Sequence, residues 1–165
     1  MSTLRTLRHF ISHPLLVSLL RVALGAVFIV ASLDKIQDPE AFATSIANYR
    51  LLPYKLINGI AIVLPWLELV TGTLLVLGVW IRASTMIVWG LLLAFSVAIS
   101  QALARGLDIN CGCFSNNPVG ERMSWWTLIW DLIWLSWGIP VWIFDHGHYS
   151  LFKFLNTRKG KIASP

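Results

Sequence analysis

Charge is scarce in this sequence. Lys and Arg number 13 and Asp and Glu 8 among 165 residues, so only 13% of the chain is charged, against roughly 25% for an ordinary soluble domain. With 56% of residues hydrophobic, a chain this short has too little interior to hide its apolar surface from water. Cysteine is nearly missing as well: Cys111 and Cys113 are the only two, separated by one residue. That excludes the disulfide framework that staples small secreted folds. The four histidines, His9, His13, His146 and His148, all lie near the ends of the chain. A four-ligand zinc centre built with the cysteines is therefore disfavoured. Neither an internal repeat nor a low-complexity tract is present.

What the chain does have is long apolar runs and nine Trp, with a mean hydropathy of +0.69. Trp is at home where one edge is wet and the other oily. A hydrocarbon core of ~30 Å requires about 20 residues of helix. Runs of that length occupy Leu15 to Leu33, Leu56 to Trp80, Ala83 to Ala104 and Trp125 to Phe144. Backbone groups in lipid must be satisfied within each segment, which leaves the helix as the open-ended solution. The expectation is an all-α, four-transmembrane-helix bundle forming a single domain over residues 1–165, with a basic tail over 145–165. Arg5 and Arg8 before an apolar run that ends in Ala31 and Ser32 resemble a signal peptide. Arg21 splits that run and three more spans follow, so the reading is an uncleaved helix.

Arg82 nearly fills the turn between the second and third spans, which predicts an antiparallel hairpin. The connections Asp34 to Lys55 and Arg105 to Ser124 are long enough to carry function. Within the first, Pro39 and Pro53 bracket a stretch in which Phe42, Ile46 and Tyr49 recur at helical spacing, predicting a short interfacial helix. Arg5, Arg8, Arg82, Lys153, Arg158, Lys159 and Lys161 fall on one side of the predicted spans; Lys35, Arg50, Lys55, Arg105 and Arg122 fall on the other. The excess of positive charge places both termini in the cytoplasm. In a bacterial inner membrane both long connections, and the cysteines, then face the oxidising periplasm. The net charge of +5 reports orientation, and no nucleic-acid partner is expected.

The cysteines sit in Ile109-Asn110-Cys111-Gly112-Cys113-Phe114. A disulfide over so short a span is strained, and strain makes the bond easy to surrender to a partner thiol. Three readings stay open: a redox-active pair, a static cross-link that closes almost no loop, and a thiolate pair for Cu(I), a soft ion content with few ligands.

Arg21, Glu68 and Asp131 fall inside predicted spans, where a charge is costly and usually faces the bundle interior. Counting ~1.5 Å per residue puts Arg21 and Glu68 at similar depth and predicts an ion pair between the first two spans. Glu68 and Asp131 are also candidates for handling protons, with Arg105 or Lys35 as a partner for Asp131. Trp126, Trp130, Trp134 and Trp137 form a stripe on the last span. An aromatic belt explains it, and Trp126 and Trp130 are the candidates for a quinone wall. Gly90, Ala94, Ala98 and Ala102 form a small-residue stripe that predicts close helix packing.

Taken together, Gly25 to Lys35 (GAVFIVASLDK), Tyr49 to Pro53 (YRLLP), Leu64 to Gly72 (LPWLELVTG) and Cys111 to Phe114 (CGCF) resemble the MauE branch of the DoxX-like membrane proteins. The resemblance covers about Arg21 to Trp137. It implies a four-helix membrane protein of methylamine utilisation or an analogous pathway. It further implies the maturation of a periplasmic, disulfide-containing client together with a thioredoxin-like partner resembling MauD. In architecture the family also resembles quinone-linked thiol oxidases such as DsbB and vitamin K epoxide reductase. Cys111 and Cys113 are then the redox pair, and quinone is the candidate cofactor. A Cu(I) or small-molecule carrier and a non-enzymatic scaffold for a maturation complex are the alternatives.

Overall fold

The computed structural model describes residues 13–107 and 125–145. The cysteine pair, the rest of the segment 108–124 that holds it, the N-terminal arginines and the basic tail beyond 145 lie outside the described residues. Five helices follow in order: α1 Pro14–Gln37, α2 Pro39–Asn48, α3 Tyr54–Leu77, α4 Ile81–Ala104 and α5 Trp125–Phe144. Every regular element among the described residues is a helix. α1, α3, α4 and α5 are each long and apolar enough to cross a membrane.

The chemistry at each helix end explains these boundaries. Pro14 opens α1 and Pro39 opens α2 in the first helical turn, where a missing N–H costs nothing. Asp38 ends α1 and caps α2 at once, its side chain accepting from the Ala41 N–H at 2.9 Å. α3 ends on Gly78 in the left-handed region, φ 71, with the Val79 N–H reaching back to the Leu74 carbonyl at 2.9 Å. That is a Schellman end. Trp80, also left-handed at φ 47, completes a turn so short that α3 and α4 must run antiparallel.

The predicted spans are all present, and α5 has the expected ends. Two boundaries are corrected: α3 ends at Leu77, which leaves Trp80 in the turn and not in the span, and α1 runs on to Gln37, so Lys35 lies in a span and not in the following connection. A charged residue near the end of an apolar run reads as the edge of a membrane, yet an extra turn is tolerated where its side chain finds a partner inside.

α1 packs most extensively on α3, and α4 on α5; α1 with α5 and α3 with α4 close the ring, while α2 rests mainly on α3. The α1–α3 crossing is tight because Gly25 and Gly72 face one another. A Cβ on Gly25 would stand 2.6 Å from the Gly72 carbonyl oxygen, and one on Gly72 2.7 Å from that of Gly25. Small residues let membrane helices approach this closely.

Polarity runs inside out relative to a soluble protein. Leu19, Val63 and Val97 are among many large apolar residues that are mostly exposed, whereas Arg21, Lys35, Glu68, Thr71, Thr85 and Asp131 are buried. An apolar exterior around charged groups matches a lipid solvent.

Candidate functional site

The face of the bundle that carries α2 also receives the end of α4 and the start of α5, hence both ends of the connection that includes Cys111 and Cys113. Beneath that face three charged side chains converge. The Lys35 ammonium donates to both carboxylate oxygens of Glu68 at 2.8 Å, and both residues are about 2% exposed. Asp131 on α5 lines the same cavity of about 30 Å³ as this pair, and accepts a long hydrogen bond of 3.5 Å from the Ser96 hydroxyl of α4. Such a volume suits one water-sized guest.

Helix geometry explains why Lys35 meets Glu68 and Arg21 does not. Side chains lean toward the N-terminus of their own helix. With Gly25 opposite Gly72, the α-carbons of Lys35 and Glu68 are offset by only about 9 Å along the antiparallel pair, and each side chain leans toward the other. Arg21 is offset from Glu68 by about 12 Å in the opposite sense, and the two lean apart. The expected Arg21–Glu68 pair is therefore replaced by two others: Lys35–Glu68, and Arg21 Nε with Asp145 Oδ2 at 3.3 Å at the far end of the bundle. Counting depth from assumed span edges misplaced Arg21, and treating Lys35 as a loop residue hid the true partner. The "LDK" ending of the first span was the available signal.

One ammonium facing two carboxylates leaves a surplus negative charge in an apolar interior. A single proton held within the cluster neutralises it at the least cost. The arrangement is thus suited to taking up and releasing a proton at the membrane face where the cysteine-bearing connection attaches.

Lys35 has aromatic neighbours too. Its Nζ lies 5.2 Å from the centroid of Phe42 on α2 and 4.9 Å from that of Phe95 on α4, both within cation–π range. The same two rings line a second, apolar cavity of about 370 Å³ between α2, α3 and α4. Ala94 and Ala98 form part of its wall, and Gly90 below them would carry a Cβ with nothing within 4 Å. The small-residue stripe expected to bring helices together is thus divided: Ala98 and Ala102 pack with Tyr49 and Ile99, while Gly90 and Ala94 are exposed. Tyr49, at the end of α2, also lines this cavity, and its carbonyl accepts from the Arg105 guanidinium. Burial pushes the Tyr49 phenol well above its ordinary pKa, with the Asp131 charge adding to the effect.

Trp126 and Trp130 stand at 67% and 52% exposure, and neither lines either of these two cavities. Trp134 of the same stripe does reach the small cavity, beside Glu68 and Asp131. Arg105 caps α4 and serves Tyr49. Among the described residues no group of three or more His, Cys, Asp and Glu is placed to hold a metal ion.

Comparison with known proteins follows the same stretch of chain. The family model for the methylamine utilisation protein MauE matches residues 13–144, which takes in all four long helices and the cysteine pair. The chain is 34% identical to the methylamine utilization protein MauE of Methylorubrum extorquens over 116 residues, 70% of this chain and 62% of that one. It is 30% identical to the MauE protein of Paracoccus denitrificans over 125 residues, 75% of this chain and 67% of the relative. With that of Paracoccus versutus it shares 33% over 120 residues, 72% and 64% of the two chains. The chain thus spans about three-fifths to two-thirds of the length of these relatives. No solved structure matches significantly.

Proposed function

The chain belongs to the MauE family of multi-pass membrane proteins of methylamine utilisation, and from that premise we propose that it is a membrane thiol–disulfide redox protein serving the maturation of a periplasmic client. Cys111 and Cys113 are the reacting groups. Both termini lie in the cytoplasm of a bacterium, and the pair faces the periplasm across the inner membrane. As a dithiol the pair gives two electrons and two protons to an acceptor in the membrane, a quinone, which leaves as quinol. The resulting disulfide is attacked by a thiolate of a thioredoxin-like, MauD-like partner. A mixed disulfide forms, the partner's second thiolate resolves it, and the partner departs oxidised while the cysteine pair regains its two thiols. The oxidised partner then delivers its disulfide to the client.

The observation that carries this reading is the position of the Lys35–Glu68–Asp131 cluster. Asp131 lies about 9 Å along α5 from Trp125, the residue at which the chain returns from the cysteine-bearing connection. Thiol oxidation and quinone reduction both move protons, and the cluster is a buried set of groups that can relay them. Glu68 and Asp131 exchange the protons and Lys35 holds Glu68 in place.

Stepped-mass alkylation in intact cells tests the reading. Cys111 and Cys113 are expected to be trapped in both states, shifting toward the dithiol when quinone is depleted and toward the disulfide when the partner is absent. A pair that never changes state, that labels from the cytosol, or that can be replaced in Cys111→Ser/Cys113→Ser protein with full client maturation overturns it.

A further inference from the structure

The apolar chamber between α2, α3 and α4 has no part yet in this account. It is drawn out along the helices. On α4 its wall descends from Ala98 to Leu91, which stands about 20 Å along the helix from its Ala104 end. The wall is almost wholly hydrocarbon, and the Ser45 hydroxyl in it already donates to the Ala41 carbonyl at 3.0 Å. Leu51, Leu52 and Ala94 at its rim are exposed, so it opens to the lipid.

The mouth has a different character, because basic side chains gather there. Arg50 precedes Leu51 and Lys55 follows Leu52 by three residues; both are exposed, and neither forms an ion pair among the described residues. The Arg105 guanidinium comes to the same place by donating to the carbonyl of Tyr49, a residue that lines the chamber. One of its five N–H groups meets that carbonyl, and others remain for a second acceptor. Acidic residues stand at the other end of α2, with Glu40 about 14 Å along it from Tyr49.

We infer that the chamber seats one acyl chain of a phospholipid of net negative charge, whose phosphate rests among Arg50, Lys55 and Arg105. The long hydrocarbon wall suits a chain and gives a polar guest nothing to bond. The cations select the headgroup: a phosphate is attracted to them, whereas the ammonium of a zwitterionic lipid brings positive charge to a positive mouth. Each basic group near an anionic lipid surface contributes about fivefold in affinity. A seated chain also supplies apolar atoms between α2 and α4.

No thiol takes part, so the lipid seat stands or falls apart from the redox reading. Native mass spectrometry of the full-length protein in detergent, titrated with dioleoyl phosphatidylglycerol or dioleoyl phosphatidylcholine, tests it. One phosphatidylglycerol per chain is expected, held at least tenfold more tightly than phosphatidylcholine. Arg50→Asn with Lys55→Gln should weaken phosphatidylglycerol at least tenfold at an unchanged melting temperature, because Arg50 sits at φ 51, a backbone that Asn adopts readily. Ala94→Trp, at an exposed point of the wall, should weaken both lipids at least tenfold by filling the chamber. Ala98→Phe fills it one turn nearer the mouth and serves where Ala94→Trp does not fold. Equal affinity for the two lipids, a preference that survives loss of both cations, or unaltered binding in the filled protein overturns the assignment.

Discussion

Arg21–Asp145 and Lys35–Glu68 are both buried ion pairs that tie the first span to a later one, yet their surroundings have little in common. Arg21 meets Asp145 at the bundle end that carries the α3–α4 turn, where Leu24, Leu75 and Ile81 form the packed core. Lys35 meets Glu68 at the end that carries α2, beside a third charged group, a small cavity and two aromatic rings. The first pair sits beside packed apolar side chains and closes the bundle. The second lines a small cavity, and space beside a charge is what a reaction needs and a staple does not.

Substitutions at the two pairs test that contrast. The largest effect is expected from Glu68→Leu alone, which strands the Lys35 ammonium in the bundle: about 3–5 kcal/mol of stability is lost, read as a lowered unfolding midpoint in detergent. Adding Lys35→Met should recover most of the loss, because apolar groups of similar volume can replace a buried pair, while client maturation stays abolished. Arg21→Met with Asp145→Leu is expected to show the same stability pattern, single against double, but to keep maturation near wild type. Loss of maturation in a well-folded double variant at this end would erase the distinction between the pairs.

Gly25→Leu should cost roughly 1–3 kcal/mol by forcing α1 and α3 apart, whereas Gly90→Leu, with no atom near its new Cβ, should stay within about 0.5 kcal/mol of wild type. A similarly small change is expected from Ser96→Ala. The hydrogen bond it removes is long at 3.5 Å, so about 0.5–1 kcal/mol is the upper bound, measured as a slight drop in melting temperature.

Much of the architecture was legible because it depends on local properties. The bilayer sets the length of each apolar run, and Arg82 between two runs leaves room only for a turn. Pro39 and Pro53 marked off α2, and Glu68 and Asp131 announced themselves as charges with no lipid-compatible place except the interior. What was not legible depends on how helices sit against each other. The partner of Glu68 follows from the Gly25–Gly72 crossing and from the lean of side chains on antiparallel helices, and neither appears in a count of residues from a span edge. The apolar chamber was equally hidden, because Ala94 and Ala98 have the same pattern whether α3 approaches them or turns away. Cys111 and Cys113 lie outside the described residues, and their spacing alone leaves the redox, cross-link and Cu(I) readings side by side.

The Arg21–Asp145 contact also has a consequence for biogenesis. The guanidinium enters the membrane with the first span, but its carboxylate is synthesised about 120 residues later, several seconds or more at ~5–20 residues per second. Until then the bundle stands without its final latch, and a ribosome that stalls before Asp145 releases a product that lacks it. Completion of the last span, rather than insertion of the first, therefore marks the moment at which this ion pair can close.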